Sequence, residues 1–154
     1  GDMNNTSAVD LTRHNSFPYW TRITIRFGDM DRMQHINNMA IGDYFETARV
    51  EFRERIHPPL DISEGVGIVI RRICIDFVGQ AHYPGEVEVG TRILRIGNSS
   101  YTLGQGVFQE GYCFATTETV SVYADSRAGK SLSLPPVLRE ALGKYMGVAP
   151  PAGG

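Results

Sequence analysis

One amphipathic segment followed by four strand-like segments constrains the fold of this chain more than any other feature. Over residues 38–56 apolar side chains recur at spacings of 3 and 4, which places them on one face of a helix. Residues 66–124 hold four segments rich in β-branched and aromatic residues, and their short turns are typical of antiparallel neighbours. Strands grouped after one helix predict an α+β fold, with an antiparallel sheet packed on one long helix. The apolar stripe of the helix comprises Ile41, Phe45, Ala48, Phe52 and Ile56.

The other predicted elements complete a single domain over residues 18–146. A flexible leader is expected over residues 1–17 and a flexible tail over residues 147–154. Pro135 and Pro136 open a short C-terminal helix, since proline suits a first helical turn. The predicted strands are 19–27, 66–78, 86–96, 101–109 and 112–124.

Composition excludes several classes of protein. Lys plus Arg number 15 against 17 Asp plus Glu among 154 residues, a net charge of −2 that argues against a nucleic-acid binder. The longest uncharged apolar stretch, residues 65–70, is too short to span a membrane, which takes roughly 18 residues or more. Two cysteines without a CxxC motif favour a reduced, cytoplasmic protein. The polar N-terminal residues lack the apolar core of a signal peptide.

Common cofactor motifs are incomplete in this chain. The stretch Gly129 to Ser131 resembles the end of a phosphate-binding loop, but Ala124 stands where that motif needs glycine. No GxSxG motif is present, and the four histidines are scattered without metal-ligand spacing. The sequence therefore predicts no metal site and no redox cofactor.

The chemistry is concentrated in the loop before the long helix. Two carboxylates, Asp29 and Asp31, and His35 precede the helix start at Asn37 and Asn38. The free N–H groups of a helix N-terminus can hold an oxyanion, and a nearby carboxylate can act as general base or nucleophile. This combination indicates acyl transfer. On residue types alone, turn formers and helix caps are the commoner role for such side chains.

Five longer sequence segments support the interpretation of the loop as a site of acyl transfer. The segments FGDMD, HINN, DYFETARVEF, IDFVGQAHYPGEVEVGTRI and GNSSYTLGQGVF together span most of residues 20–145. Through them the chain resembles the hotdog-fold thioesterases, in particular the 4-hydroxybenzoyl-CoA thioesterase-like group of acyl-CoA thioesterases. The resemblance implies a single hotdog domain, with a curved antiparallel sheet wrapped around the long helix. It also implies subunits that pair into a homodimer or a dimer of dimers.

The resemblance assigns roles within the loop. It implies that Asp31 is the catalytic carboxylate and that the backbone N–H of Asn38 polarises the thioester carbonyl. His35 either contacts substrate or water, or holds the loop through a backbone bond. The stretch QHINN is also similar to the QHVNN of plant acyl-ACP thioesterases, but Met33 stands where those enzymes carry asparagine, which weakens that comparison.

These observations predict hydrolysis of an acyl-CoA to a free acid and CoA. The alternatives are an acyl-ACP thioesterase and a non-catalytic acyl-CoA-binding module. Glu46, in the helix, is the second candidate for the catalytic carboxylate, although pairing with a base on the outer helix face suits it better. Asp29 is expected to be structural. The methionines of the region either line an acyl pocket or fill the core; they are Met30, Met33 and Met39.

Overall fold

The computed structural model of the chain describes residues 8–56 and 65–147. In chain order the elements are β1 (Tyr19–Thr24), α1 (Asn38–Ile56), β2 (Val66–Phe77), β3 (Glu86–Ile96), β4 (Ser100–Gln109), β5 (Tyr112–Asp125), β6 (Lys130–Ser131) and α2 (Pro136–Gly143). The predicted α+β order is confirmed, and the short strand β6 was not predicted. The sequence predicts that His57, Pro58 and Pro59 end the long helix, because a residue before proline is disfavoured in helical geometry. These residues lie outside the described part of the chain, as does the tail from residue 148 onward.

The sheet is antiparallel and curls around α1. Its strand order is β1-β3-β4-β5-β2, with β6 beside β5. The apolar stripe of α1 meets the inner faces of β3, β4 and β5, while Phe52 packs with Leu138 and Leu142 of α2. Each such buried side chain stabilises the fold by roughly 1.5–3 kcal/mol. The main cluster contains Ile41, Phe45, Ala48, Val87, Val89, Val107 and Phe114.

Strand β2 departs from simple alternation. The sequence predicts Val69 and Ile73 on one face, but the register shifts between Ile70 and Arg72. The extra residue of this bulge is Arg71, and it reverses the side to which the following residues point. Ile70 therefore shares a face with Ile73, and Val69 lies on the opposite one.

The segment preceding β1 is not wholly a flexible leader. Leu11 and Phe17 are buried and pack with Phe108 on the outer face of the sheet. Gly90 and Gly106 are paired across β3 and β4, and a Cβ atom on Gly90 would lie 2.4 Å from the Phe17 ring. The absence of side chains there lets the segment approach the sheet. The segment expected to be a flexible leader is therefore packed on the sheet at Leu11 and Phe17.

Candidate active site

The loop between β1 and α1 is anchored by a buried aspartate. Asp29 is only 3% exposed, and its Oδ2 accepts hydrogen bonds from the Arg26 backbone N–H at 2.9 Å and the Tyr44 hydroxyl at 2.7 Å. The Arg26 guanidinium lies 3.2 Å from Oδ1. The carbonyl of Asp29 accepts the Asn37 N–H at 2.9 Å, which joins the loop to the helix start. Asp29 thus has the contacts of the structural residue that the sequence suggested.

These contacts determine the charge states at the anchor. Burial raises the pKa of Asp29, but the hydrogen bonds from Arg26 and Tyr44 and the Arg26 charge outweigh it, so the pKa lies below its ordinary value. Burial and the Asp29 carboxylate together raise the pKa of Tyr44, which keeps the phenol protonated as a donor.

The first strand ends earlier than predicted. The prediction extends it to residue 27, but β1 ends at Thr24 and a 3₁₀ turn occupies Phe27–Asp29.

Asp31, in contrast, is exposed. Its Oδ1 accepts the N–H groups of Met33 at 2.8 Å and His35 at 3.0 Å, and its own N–H donates to the His35 carbonyl at 2.7 Å. The second oxygen, Oδ2, has no hydrogen-bond partner in the described part of the chain. Asp31 therefore closes the loop turn with one oxygen and presents the other outward. Gln34, at the tip of this turn, has a positive φ of 66°.

The start of α1 lies directly after this turn. Asn37 is the N-cap, because its Oδ1 accepts the Ala40 N–H at 2.7 Å and its carbonyl accepts the first helical bond from Ile41. Asn38 and Met39 occupy the exposed first turn, where backbone N–H groups have no acceptor within the helix. These N–H groups can bind an oxyanion.

His35 faces a second histidine that the sequence did not single out. The rings of His35 and His82 lie 5.0 Å apart between centroids, and their backbones form an isolated antiparallel bridge. The neighbouring Ile36 N–H donates to the Ala81 carbonyl at 2.9 Å. The pairing joins segments 47 residues apart, so no local pattern could reveal it. His35 thus holds the loop through its backbone and also presents its ring beside His82.

An exposed apolar rim surrounds the loop. Met33 is 73% exposed and Met39 82%, so neither fills the core, while Met30 is half-buried. Phe27 is also exposed and meets the Tyr83 ring edge-on at 5.8 Å. These side chains provide apolar contact area next to Asp31.

Glu46, the second candidate for the catalytic carboxylate, lines a cleft that does not include Asp31. It lines an open cleft of about 580 Å³ beside α1, together with Asp29, Asp43 and Tyr44, and Asp31 is not among the lining residues. Within residues 8–56 and 65–147, no group of three His, Cys, Asp or Glu side chains has the arrangement of a metal site. In the same ranges, no helix combines the length and apolarity needed to cross a membrane.

A curled antiparallel sheet around one long helix, with an acidic loop at the helix N-terminus, defines a hotdog-fold protein of the thioesterase type. The chain belongs to the thioesterase-like superfamily, whose family model matches residues 25–142. Thioester hydrolysis is the general activity that this membership supports.

Two solved structures that carry the name thioesterase agree with this assignment, and the chain is also similar to one uncharacterized relative. A predicted thioesterase from Bacillus stearothermophilus is 31% identical, with 86% of this chain and 98% of that chain covered and a TM-score of 0.75. A thioesterase from Thermus thermophilus, solved in complex with coenzyme A and Zn, is 29% identical, with 85% and 96% covered and a TM-score of 0.73. The uncharacterized protein YsmA of Bacillus subtilis is 26% identical over 77% of this chain and 80% of its own length.

Proposed function

We propose that this protein hydrolyses an acyl-CoA thioester, with Asp31 as the catalytic carboxylate and the first-turn N–H groups at Asn38 as the oxyanion hole. The observation that carries the proposal is the state of Asp31. One oxygen accepts two backbone N–H groups, the other has no hydrogen-bond partner among the described residues, and Asp31 lies about seven residues before the start of α1 in the chain. The oxygen without a protein partner is available to act as base or nucleophile. The coenzyme A complex of the Thermus relative supports CoA as the carrier.

The geometry suits two related mechanisms. As general base, Asp31 takes a proton from water while the water oxygen attacks the thioester carbon. The carbonyl oxygen becomes an oxyanion, which the N–H groups of Asn38 and Met39 stabilise. The intermediate then expels the CoA thiolate, which recovers the proton. As nucleophile, Asp31 instead attacks the thioester carbon, and the C–S bond breaks to leave a mixed anhydride and the CoA thiolate. Water then cleaves the anhydride to the free acid, which restores the Asp31 carboxylate and supplies the proton of the CoA thiol. In both, the apolar rim with Met33 and Met39 contacts the acyl group, and the ring of His35 lies beside substrate or water.

A hydrolysis screen tests this proposal. We expect free thiol release from at least one member of a panel of aromatic, short-chain and long-chain acyl-CoAs, without added metal and unchanged by EDTA. Turnover of acyl-ACP alone would favour an acyl-ACP thioesterase. Saturable acyl-CoA binding without turnover, by folded protein, would favour a binding module.

We further propose that the protein is a homodimer formed through β2. This strand lies at the end of the sheet, where its outer backbone groups lack a strand partner among the described residues. Large apolar side chains along it are 38–49% exposed: Val69, Ile70, Ile73 and Phe77, followed by Val78. The alternative assembly is a dimer of dimers, in which two such pairs associate. The two unpaired cysteines, Cys74 and Cys113, support a reduced, cytoplasmic location.

The edge predicts a specific effect on assembly. We expect wild type to elute as a dimer in size exclusion with light scattering, and Ile73→Lys to shift it to monomer at micromolar concentration, because the lysine places a charge on the apolar edge. Val137→Lys is the matched control, since Val137 is exposed on α2 and is not part of the β2 edge. A monomeric wild type with full activity, or an Ile73→Lys variant that remains dimeric, contradicts the proposal.

A further inference from the structure

The loop that carries Asp31 is tied to the end of β4 by a side-chain amide. Gln109 donates from Nε2 to the His82 carbonyl at 2.7 Å and accepts the His82 N–H on Oε1 at 3.1 Å. A single glutamine thus supplies both hydrogen bonds that a neighbouring strand residue would supply to His82. The mutual bonds also fix the orientation of the amide, because each of its ends has one suitable partner.

The contacts continue from His82 to the carboxylate. The backbone of His82 bridges that of His35, and their rings meet at 5.0 Å. His35 in turn donates its N–H to Asp31 Oδ1 and accepts the Asp31 N–H. Every step from Gln109 to Asp31 is therefore a hydrogen bond, a backbone bridge or a ring contact.

We propose that Gln109 is a positioning residue for Asp31, acting through the backbones of His82 and His35. The inference rests on the proposed function for its catalytic consequence, but the mechanical link is independent of it. Asp31 belongs to an exposed turn, and an exposed turn alone holds a carboxylate loosely. Small displacements of a reacting group cost large factors in rate. Gln109 pairs with Tyr112 at the turn end of the β4–β5 hairpin, just beyond a β-bulge between Val107 and Phe108. The backbone of Gln109 is thus held by the sheet, and its amide extends that restraint to the loop.

Gln109→Met tests the link, because methionine has nearly the same length and removes both hydrogen bonds. Gln109→Glu retains an acceptor for the His82 N–H but places an oxygen against the His82 carbonyl. Gln80→Met is the matched control, since Gln80 lies exposed in the same segment and makes no side-chain hydrogen bond to a described residue. Two quantities are measured on the full chain: amide hydrogen exchange over residues 31–36, and kcat and KM for the best acyl-CoA.

We expect both Gln109 variants to speed exchange over residues 31–36 about tenfold, with exchange in the centres of β4 and β5 unchanged. We also expect kcat to fall about tenfold with KM within twofold, and Gln80→Met to match wild type. Unchanged exchange over residues 31–36 in folded Gln109→Met overturns the proposal whatever the activity, as does faster exchange with unchanged kcat. Faster exchange in a protein whose wild type hydrolyses no thioester supports the mechanical link and refutes the proposed function instead.

Discussion

Replacing Asp31 by asparagine is expected to lower kcat about 10²-fold or more, with KM nearly unchanged. Asparagine keeps the side-chain oxygen that accepts the N–H groups of Met33 and His35, so the turn is preserved. It replaces the outward carboxylate oxygen with an amide nitrogen, which can act neither as base nor as nucleophile. Loss of one positioned acid–base group costs about 10²–10⁴-fold in rate. Steady-state kinetics and the melting temperature of both proteins give the measurement.

The controls separate catalysis from capping. Asp43→Asn removes an exposed carboxylate from α1 and is expected to leave kcat within about twofold. Asp29→Asn is unsuitable as a neutral control, because Asp29 is buried and holds the loop. If Asp31→Asn retains wild-type kcat and melting temperature, Asp31 is only a turn former, and Glu46→Gln becomes the next variant to assay.

The long helix and most of the strands could be predicted from the sequence, because the residue spacing that produces them is local. The spacing of apolar residues over α1 reflects the burial of one helix face, and the predicted range 38–56 is the one observed. The range 86–96 for β3 is likewise confirmed. The bulge at Arg71 could not be predicted, because it depends on the pairing of β2 with β5 rather than on the residues of β2 themselves.

Long-range contacts account for the other differences. Phe17 was assigned to a flexible leader because nothing near it in sequence shows its partner. Gly90 and Gly106, more than 70 residues away, leave the space that the Phe17 ring occupies, because they have no side chains. A glycine in a strand indicates a close approach by some group, but it does not identify that group.

The same contrast between local sequence patterns and long-range contacts applies to the candidate site. The sequence alone located the loop and the helix N-terminus, because a cluster of Asp, His and Asn before a helix is a local pattern. The residue pattern by itself did not separate Asp29 from Asp31, because the difference between them depends on burial; the catalytic role expected for Asp31 came from the resemblance. The sequence also could not show that His82 and Gln109 lie near this loop, because only the folding of the sheet brings them there.

Removing the buried anchor is expected to lower stability most strongly. Asp29→Ala leaves the Arg26 N–H and the Tyr44 hydroxyl without their acceptor, and each such loss costs about 1–3 kcal/mol. We expect the free energy of unfolding to fall by about 3 kcal/mol at pH 7, measured by urea denaturation at fixed protein concentration. Tyr44→Phe, which removes one donor and keeps the carboxylate, should cost about 1–2 kcal/mol.

The pH dependence identifies the charged form of Asp29 as the stabilising one. Because the pKa of Asp29 in the folded protein lies below its ordinary value, its contribution is complete above the unfolded pKa of about 4. The contribution is lost as the pH falls through the folded pKa, where the protonated carboxyl no longer accepts both donors. The difference in unfolding free energy between wild type and Asp29→Ala should therefore be constant from pH 7 to about 5 and shrink toward pH 3. A difference that stays constant down to pH 3 would mean that the ionised carboxylate contributes no more than its neutral form, and the anchor would then act by shape alone.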